Sequence, residues 1–177
     1  MRSEGLTDVL AHGLTVVFIG INPAPASAAI GHSFATPGNR FWPALHASGF
    51  TPAVMRPEQE QDLLALGLGI TSIVRRPTSR ADQLTRQELA DGARDLTQRL
   101  ARTRSSWAAF LGVSGYRTAF DAPQARTGLQ PGTIGGAQVW ILPNPSGRNA
   151  HYPPLALAAE FALLRQHAGL PDRSQRG

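Results

Sequence analysis

The chain has 177 residues, 42% of them hydrophobic and 16% charged, which is enough for one folded domain and too apolar for a disordered one. It contains no cysteine, which excludes a disulfide scaffold, thiolate-bound zinc, an iron–sulfur cluster and a thiol nucleophile; all 17 basic residues are arginine, which excludes a lysine Schiff base and a Walker-type phosphate loop. The formal charge of +5, carried by arginine alone, makes nucleic acid the first partner to consider, with a soluble basic protein lacking such a partner as the alternative.

In chain order, Thr15–Ile19 is a short β-branched run ended by Gly20 and fits a buried parallel strand. The apolar stretch from Leu14 to Ile21 is far too short to span a membrane and lacks a signal-peptide flank, so a cytoplasmic protein with no membrane partner is expected. A short helix is expected over Arg40–Ser48, and a further one over Pro57–Leu66, opened by Pro and acids and stopped by Gly67. Ile70–Val74 reads as the second strand. Thr85–Arg102 is the best-signed helix: Thr85 and Glu88 form a capping box, Leu84 and Leu89 a hydrophobic staple, and Leu89, Ala93, Leu96 and Leu100 one apolar stripe. Trp107–Leu111 is the third strand and Gly115–Phe120 a short helix. Residues 121–132, rich in Pro, Gly and Gln, read as a loop. Gly135-Gly136 then signals a two-residue hairpin from Thr133-Ile134 into a fourth strand, Gln138–Leu142. Pro154–His167 is the last helix, closed by Gly169 and Pro171. Residues 1–170 read as a single domain and 171–177 as a flexible basic tail. Strands alternating with helices argue for an α/β sandwich with a mostly parallel central sheet of four to five strands.

In such a sheet, ligands sit outside the carboxyl ends of the strands. The segments there are Gly20-Ile-Asn-Pro-Ala24, Arg75-Arg-Pro-Thr78, Gly112-Val-Ser-Gly115 and Pro143-Asn-Pro-Ser-Gly-Arg148. No Gly-x-Gly-x-x-Gly follows any strand, which weakens a dinucleotide reading. Taken singly, Asn22 and Asn144 are ordinary Asn-Pro turn residues. Taken together, Gly20-Ile-Asn-Pro23, Phe34-Ala-Thr-Pro-Gly-Asn-Arg-Phe-Trp42, Arg76-Pro-Thr78 and Asn144-Pro-Ser-Gly147 resemble, in order, the mismatch-specific uracil-DNA glycosylases, the family that includes thymine-DNA glycosylase. The resemblance covers about Thr15 to Leu164.

The resemblance implies a three-layer α/β/α fold and a base-flipping hydrolase that needs no cofactor and no metal. It implies that Asn22 positions the attacking water, that Phe34 stacks on the extruded base, and that the backbone around Ile21 hydrogen-bonds that base in a pocket shared with Ala24 and Ser27. It places the loop of Asn144, Pro145, Ser146, Gly147, Arg148 and Asn149 in the duplex. There Arg148 would fill the gap left by the flipped base, while backbone groups of Gly147 and Asn149 read the orphaned guanine. Extrusion costs a few kcal/mol, less for a mismatched pair. The expected substrate is uracil opposite guanine in double-stranded DNA, with thymine or modified cytosine as secondary substrates, and the expected product is an abasic site passed to downstream repair enzymes. A monomer is expected, nucleoid-associated when acting.

Other residues near these loops carry open readings. Asp82 is either an auxiliary base or a solvated loop acid. Arg75, Arg76 and Arg80 are either phosphate clamps beside Arg148 or a solvated face. His32 is either a substrate contact or a turn residue. Two departures from the family pattern bear on substrate range. Ala24 stands where the family usually has Gly, and Arg148 matches the thymine-processing branch where the bacterial mismatch branch tends to have Leu. No tyrosine lies near Asn22 to exclude a 5-methyl group. Two rival classes remain: a non-catalytic mismatch or damage-binding protein of the same fold, and an α/β nucleotide-binding module that uses its Asn-Pro loops for phosphate.

Overall fold

The computed structural model describes residues 6–175. Its elements run β1 (Val16–Gly20), α1 (Pro25–Ile30), α2 (Phe41–Ala47), a 3-10 segment (Pro57–Leu66), β2 (Leu68–Ser72), a 3-10 turn (Ala81–Gln83), α3 (Arg86–Thr103), β3 (Trp107–Leu111), α4 (Val113–Ala119), β4 (Gly128–Ile134), β5 (Ala137–Leu142) and α5 (Pro154–His167). The five strands form one sheet in the order β2-β1-β3-β5-β4. The pairs β1·β2, β1·β3 and β3·β5 are parallel, and β4 joins β5 antiparallel. The sheet is therefore mostly parallel and flanked by helices, as expected.

Side-chain alternation in β1 sorts the core into two faces. Val16 and Phe18 join Phe41, Leu45, Phe50 and Phe161 on the side of α2 and α5. Val17 and Ile19 join Leu96, Leu100 and Phe110 on the side of α3 and α4. Phe18 is fully buried and meets Phe41 and Phe50 edge-on at ring-centroid distances of 5.4 and 5.3 Å. Burying one such ring contributes roughly 1.5–3 kcal/mol.

Helix α3 forms for the reasons its sequence carries. Thr85 Oγ1 accepts the Glu88 N–H at 3.0 Å, Glu88 reaches back to the Thr85 N–H, and Leu84 and Leu89 are both buried. Gly135 and Gly136, both at positive φ, turn β4 into β5.

Several segments differ from expectation, among them Pro25–Ile30, a helix where none is expected, and α4, which starts two residues early at Val113. The segment Pro57–Leu66 is 3-10 rather than α, and Glu60 is drawn into the core beside Leu63. Strand β2 starts two residues early because Gly69 lets the preceding chain approach: a Cβ there would lie 2.4 Å from the Val9 carbonyl oxygen, and Val9 bridges Ile70. Residues 128–132 are strand rather than loop and extend the expected Thr133-Ile134 hairpin arm into β4. They form the sheet edge, where Pro131 is tolerated and a register shift between Leu129 and Thr133 absorbs the irregularity. The segment after Pro171, expected to fray, is tied down as far as it is described: Arg173 donates to the Phe50 carbonyl at 3.0 Å, and its N–H reaches the Gly49 carbonyl. The last residues of that expected tail, 176 and 177, lie outside the described residues.

Candidate active site

The carboxyl ends of β1, β2, β3 and β5 open into one cleft of about 600 Å³. The chain leaving β2 continues to pair with the chain leaving β1: the N–H groups of Ile73, Val74 and Thr78 donate to the carbonyls of Gly20, Ile21 and Pro23. This extended ladder brings Arg76-Pro-Thr78 against Asn22. The Asn22 amide then donates from Nδ2 to the Arg76 carbonyl at 2.9 Å and to Thr78 Oγ1 at 2.7 Å, while Thr78 passes its own hydrogen to the Arg80 carbonyl. A carbonyl can only accept, so the amide has one orientation, with both hydrogens engaged and Oδ1 without a donor among the described residues. Ile21 and Ala24, beside Asn22, also line the cleft. Gly115 makes room for Ile21, since a Cβ there would lie 2.6 Å from its side chain.

Phe34 is held from both sides. The Ser33 N–H donates to Glu60 Oε2 at 2.7 Å, the Trp42 indole donates to the Ser33 carbonyl at 3.1 Å, and the Ala35 N–H donates to Ser27 Oγ at 3.0 Å. Between these anchors Phe34 takes the left-handed φ of 55°, uncommon for an aromatic residue. One side of its ring packs on Phe41 at 4.2 Å, the side chain is only half-buried, and it lines the cleft above Gly20. Ser27 is buried and its hydroxyl is engaged by the Ala35 N–H, so it shapes the pocket wall. Glu60 is pushed above the usual carboxylate range, chiefly by burial.

The loop between β5 and α5 is stiffened from within. Asn144 Oδ1 accepts the Ser146 N–H, Ser146 Oγ accepts the Arg148 N–H, and Asn149 Nδ2 donates to the Asn144 carbonyl. Asn144, Pro145, Ser146, Gly147 and Arg148 line the cleft, and Asn149 holds the loop from outside it. Arg148 is exposed, and its guanidinium has no hydrogen-bond or ion-pair partner among the described residues. The Asn22 and Asn144 loops meet beside Gly112, whose φ of 115° suits glycine and which lies next to both Ile21 and Asn144.

The remaining candidates fall elsewhere. Asp82 is 74% exposed, pairs with Arg80 at 3.2 Å and does not line the cleft, a placement in keeping with the solvated-loop-acid alternative. The carboxylate that does line the cleft is Asp8, which sequence reasoning missed because it carries no motif. Asp8 is tied to Thr71 at 2.8 Å, to Arg75 at 2.8 Å and to the buried Arg99 at 3.4 Å. Arg76 makes a two-point pair with Glu88, both contacts at 2.9 Å, which holds that carboxyl below its usual range. None of Arg75, Arg76 and Arg80 lines the cleft, and each faces a carboxylate, at 2.8, 2.9 and 3.2 Å. His32 lies outside the cleft and faces Glu60 at 3.8 Å. Neither tyrosine lines the cleft.

Two comparisons bear on this site. The solution NMR structure of a candidate uracil DNA glycosylase from Methanosarcina acetivorans superposes with a TM-score of 0.64 at 20% identity, covering 96% of this chain and 99% of that one, and is similar in fold. The model of the Uracil DNA glycosylase superfamily matches residues 7–165 and so takes in β1 to β5 and the cleft residues from Thr7 to Arg148. The chain belongs to the uracil DNA glycosylase superfamily.

Proposed function

We propose that the protein is a monofunctional DNA glycosylase that extrudes uracil opposite guanine from duplex DNA and hydrolyses its N-glycosidic bond. The observation that carries this reading is one cleft lined both by Asn22, its amide locked by Arg76 and Thr78, and by Arg148, its guanidinium without a partner among the described residues. Arg148 is long, flat and cationic, and it fills the space vacated by the base. The half-exposed face of Phe34 stacks on the extruded ring, an interaction of about 1–3 kcal/mol. Asn22 Oδ1 accepts a hydrogen from a water molecule and aims its oxygen at the anomeric carbon. The new C–O bond forms there as the C–N bond breaks, the bonding pair leaves with the base, and the proton released by the water is taken up by the departing base anion or by bulk water.

Asn22 is neutral and cannot take the water's proton. The developing negative charge must therefore be carried by the base itself and by polar backbone groups near Ile21 and Phe34. This favours uracil over thymine as leaving group and keeps turnover modest. The absence of lysine leaves no side-chain amine for a lyase step, so the product is an abasic site. With no tyrosine on the cleft wall, thymine opposite guanine and modified cytosines are weaker secondary substrates.

The test is cleavage of end-labelled U·G, T·G, U·A and single-stranded uracil oligonucleotides with alkaline workup. Breaks strongest at U·G are expected. A mobility shift with no breaks on any substrate would leave a binding protein and reject the glycosylase reading.

A further inference from the structure

Arg40 stands at the N-cap of α2 but makes no side-chain cap to that helix. Its guanidinium crosses instead to the loop between β5 and α5. Nη1 donates to the carbonyls of Asn149 at 3.0 Å and Tyr152 at 3.1 Å, and Nη2 donates to the Gly147 carbonyl at 3.1 Å. The Arg40 backbone N–H adds a bond to the Pro145 carbonyl at 2.8 Å. Every one of these acceptors is a main-chain carbonyl of residues 145–152, so the contact fixes the path of that backbone whatever side chains it carries. A planar fork with donors in fixed directions suits this arrangement, and a single ammonium does not. A close approach reinforces it: Gly147 packs so tightly on Gly38 that a Cβ would lie 2.5 Å from the Gly38 carbonyl oxygen. The internal bonds of the 144–149 loop set its local shape. They say nothing about where the loop stands relative to Phe34 and Asn22.

We infer that Arg40 is the positioning residue that sets this placement, holding the Arg148 loop against the Phe34 segment before DNA arrives. The inference rests on the glycosylase reading and deepens it. A loop ordered in advance loses less conformational freedom when it enters the duplex, so opening of the base pair is the step that Arg40 assists. Hydrolysis of a base that is already unpaired does not need it.

The experiment compares wild type with Arg40→Ala on two duplexes: one with uracil opposite guanine, the other with uracil opposite an abasic site, where no pair has to be broken. Each carries 2-aminopurine beside the uracil, so flipping is read by fluorescence and cleavage by single-turnover rate. On the U·G duplex both readouts fall by about 10-fold or more. On the second duplex they stay within about 2-fold of wild type. Arg40→Lys keeps the charge without the fork and falls between wild type and Ala. Should Arg40→Ala melt early, Arg40→Lys carries the same comparison of the two duplexes. Equal losses on both duplexes, or no loss on U·G, overturn the inference. If wild type cleaves neither duplex, the glycosylase reading fails, while the 2-aminopurine signal on U·G still decides the role of Arg40.

Discussion

Asn22 and Arg148 do opposite things with their polar groups, and that contrast organises the residue scale. Asn22 uses both amide hydrogens within the protein and offers one oriented acceptor; Arg148 has no partner for its side-chain donors among the described residues and offers them outward. Asn22→Ala keeps the cleft and removes the acceptor. Cleavage should fall by about 10²-fold or more, while the Kd for uncleaved U·G duplex, read by fluorescence anisotropy, stays unchanged. An equal fall in binding would assign Asn22 to recognition instead. Arg148→Ala should lower the 2-aminopurine flipping signal and speed release of abasic product, because the duplex then closes on nothing. Asp82→Asn serves as the control. At 74% exposure and paired to Arg80, it should change the single-turnover rate by less than about 2-fold, and a larger effect would bring Asp82 back into the chemistry.

At the scale of elements, the 3-10 segment Pro57–Leu66 contributes the one buried carboxylate beneath the Phe34 segment. Glu60 accepts the Ser33 N–H, and its neighbours are His32 at 3.8 Å and the more distant Glu58. Burial raises its pKa, opposed by the Ser33 hydrogen bond and by His32. The native state therefore holds this proton over a pH range in which the unfolded chain has released it. Stability from this group is highest below the ordinary Glu value and declines as pH rises through the raised one. Glu60→Gln keeps an acceptor for Ser33 without the charge. Its stability relative to wild type, from urea titrations between pH 4 and 7, should rise with pH, and a flat difference would place the shift elsewhere. Elements also show what was legible in the sequence. Helix α3 was readable because its cap, staple and stripe are all local. The start of strand β2 is not legible because it depends on Val9 packing over Gly69, and the first part of β4, residues 128–132, reads as loop because an edge strand tolerates Pro and Gly. In the same way the motifs located Asn22 and Arg148. The work of Arg40 and Glu60 was hidden, since their partners are backbone groups distant in sequence, which leave no side-chain signature.

For the whole molecule, the net charge of +5 overstates how much free cation surrounds the cleft. Arg75 faces Asp8, Arg76 faces Glu88, Arg80 faces Asp82 and Arg99 faces both Asp8 and Asp95, so much of the arginine on the β2 side is neutralised where it stands. Asp8 and Arg99 also tie the chain ahead of β1 to α3 across the end of β2, which gives those charges a structural task. If the protein binds duplex DNA as proposed, the β2 side offers it few open phosphate contacts, and each neutralised phosphate contributes about −0.9 to the slope of log K against log salt. Removing an arginine that already has a carboxylate partner releases no extra counterion from DNA. Arg75→Ala and Arg76→Ala should therefore shift the U·G binding slope by well under about 1, whereas a true phosphate clamp shifts it by about that amount. Anisotropy titrations at several salt concentrations decide the matter. A unit change for Arg76→Ala would mean that the Glu88 pair opens on DNA and that this face does grip the backbone.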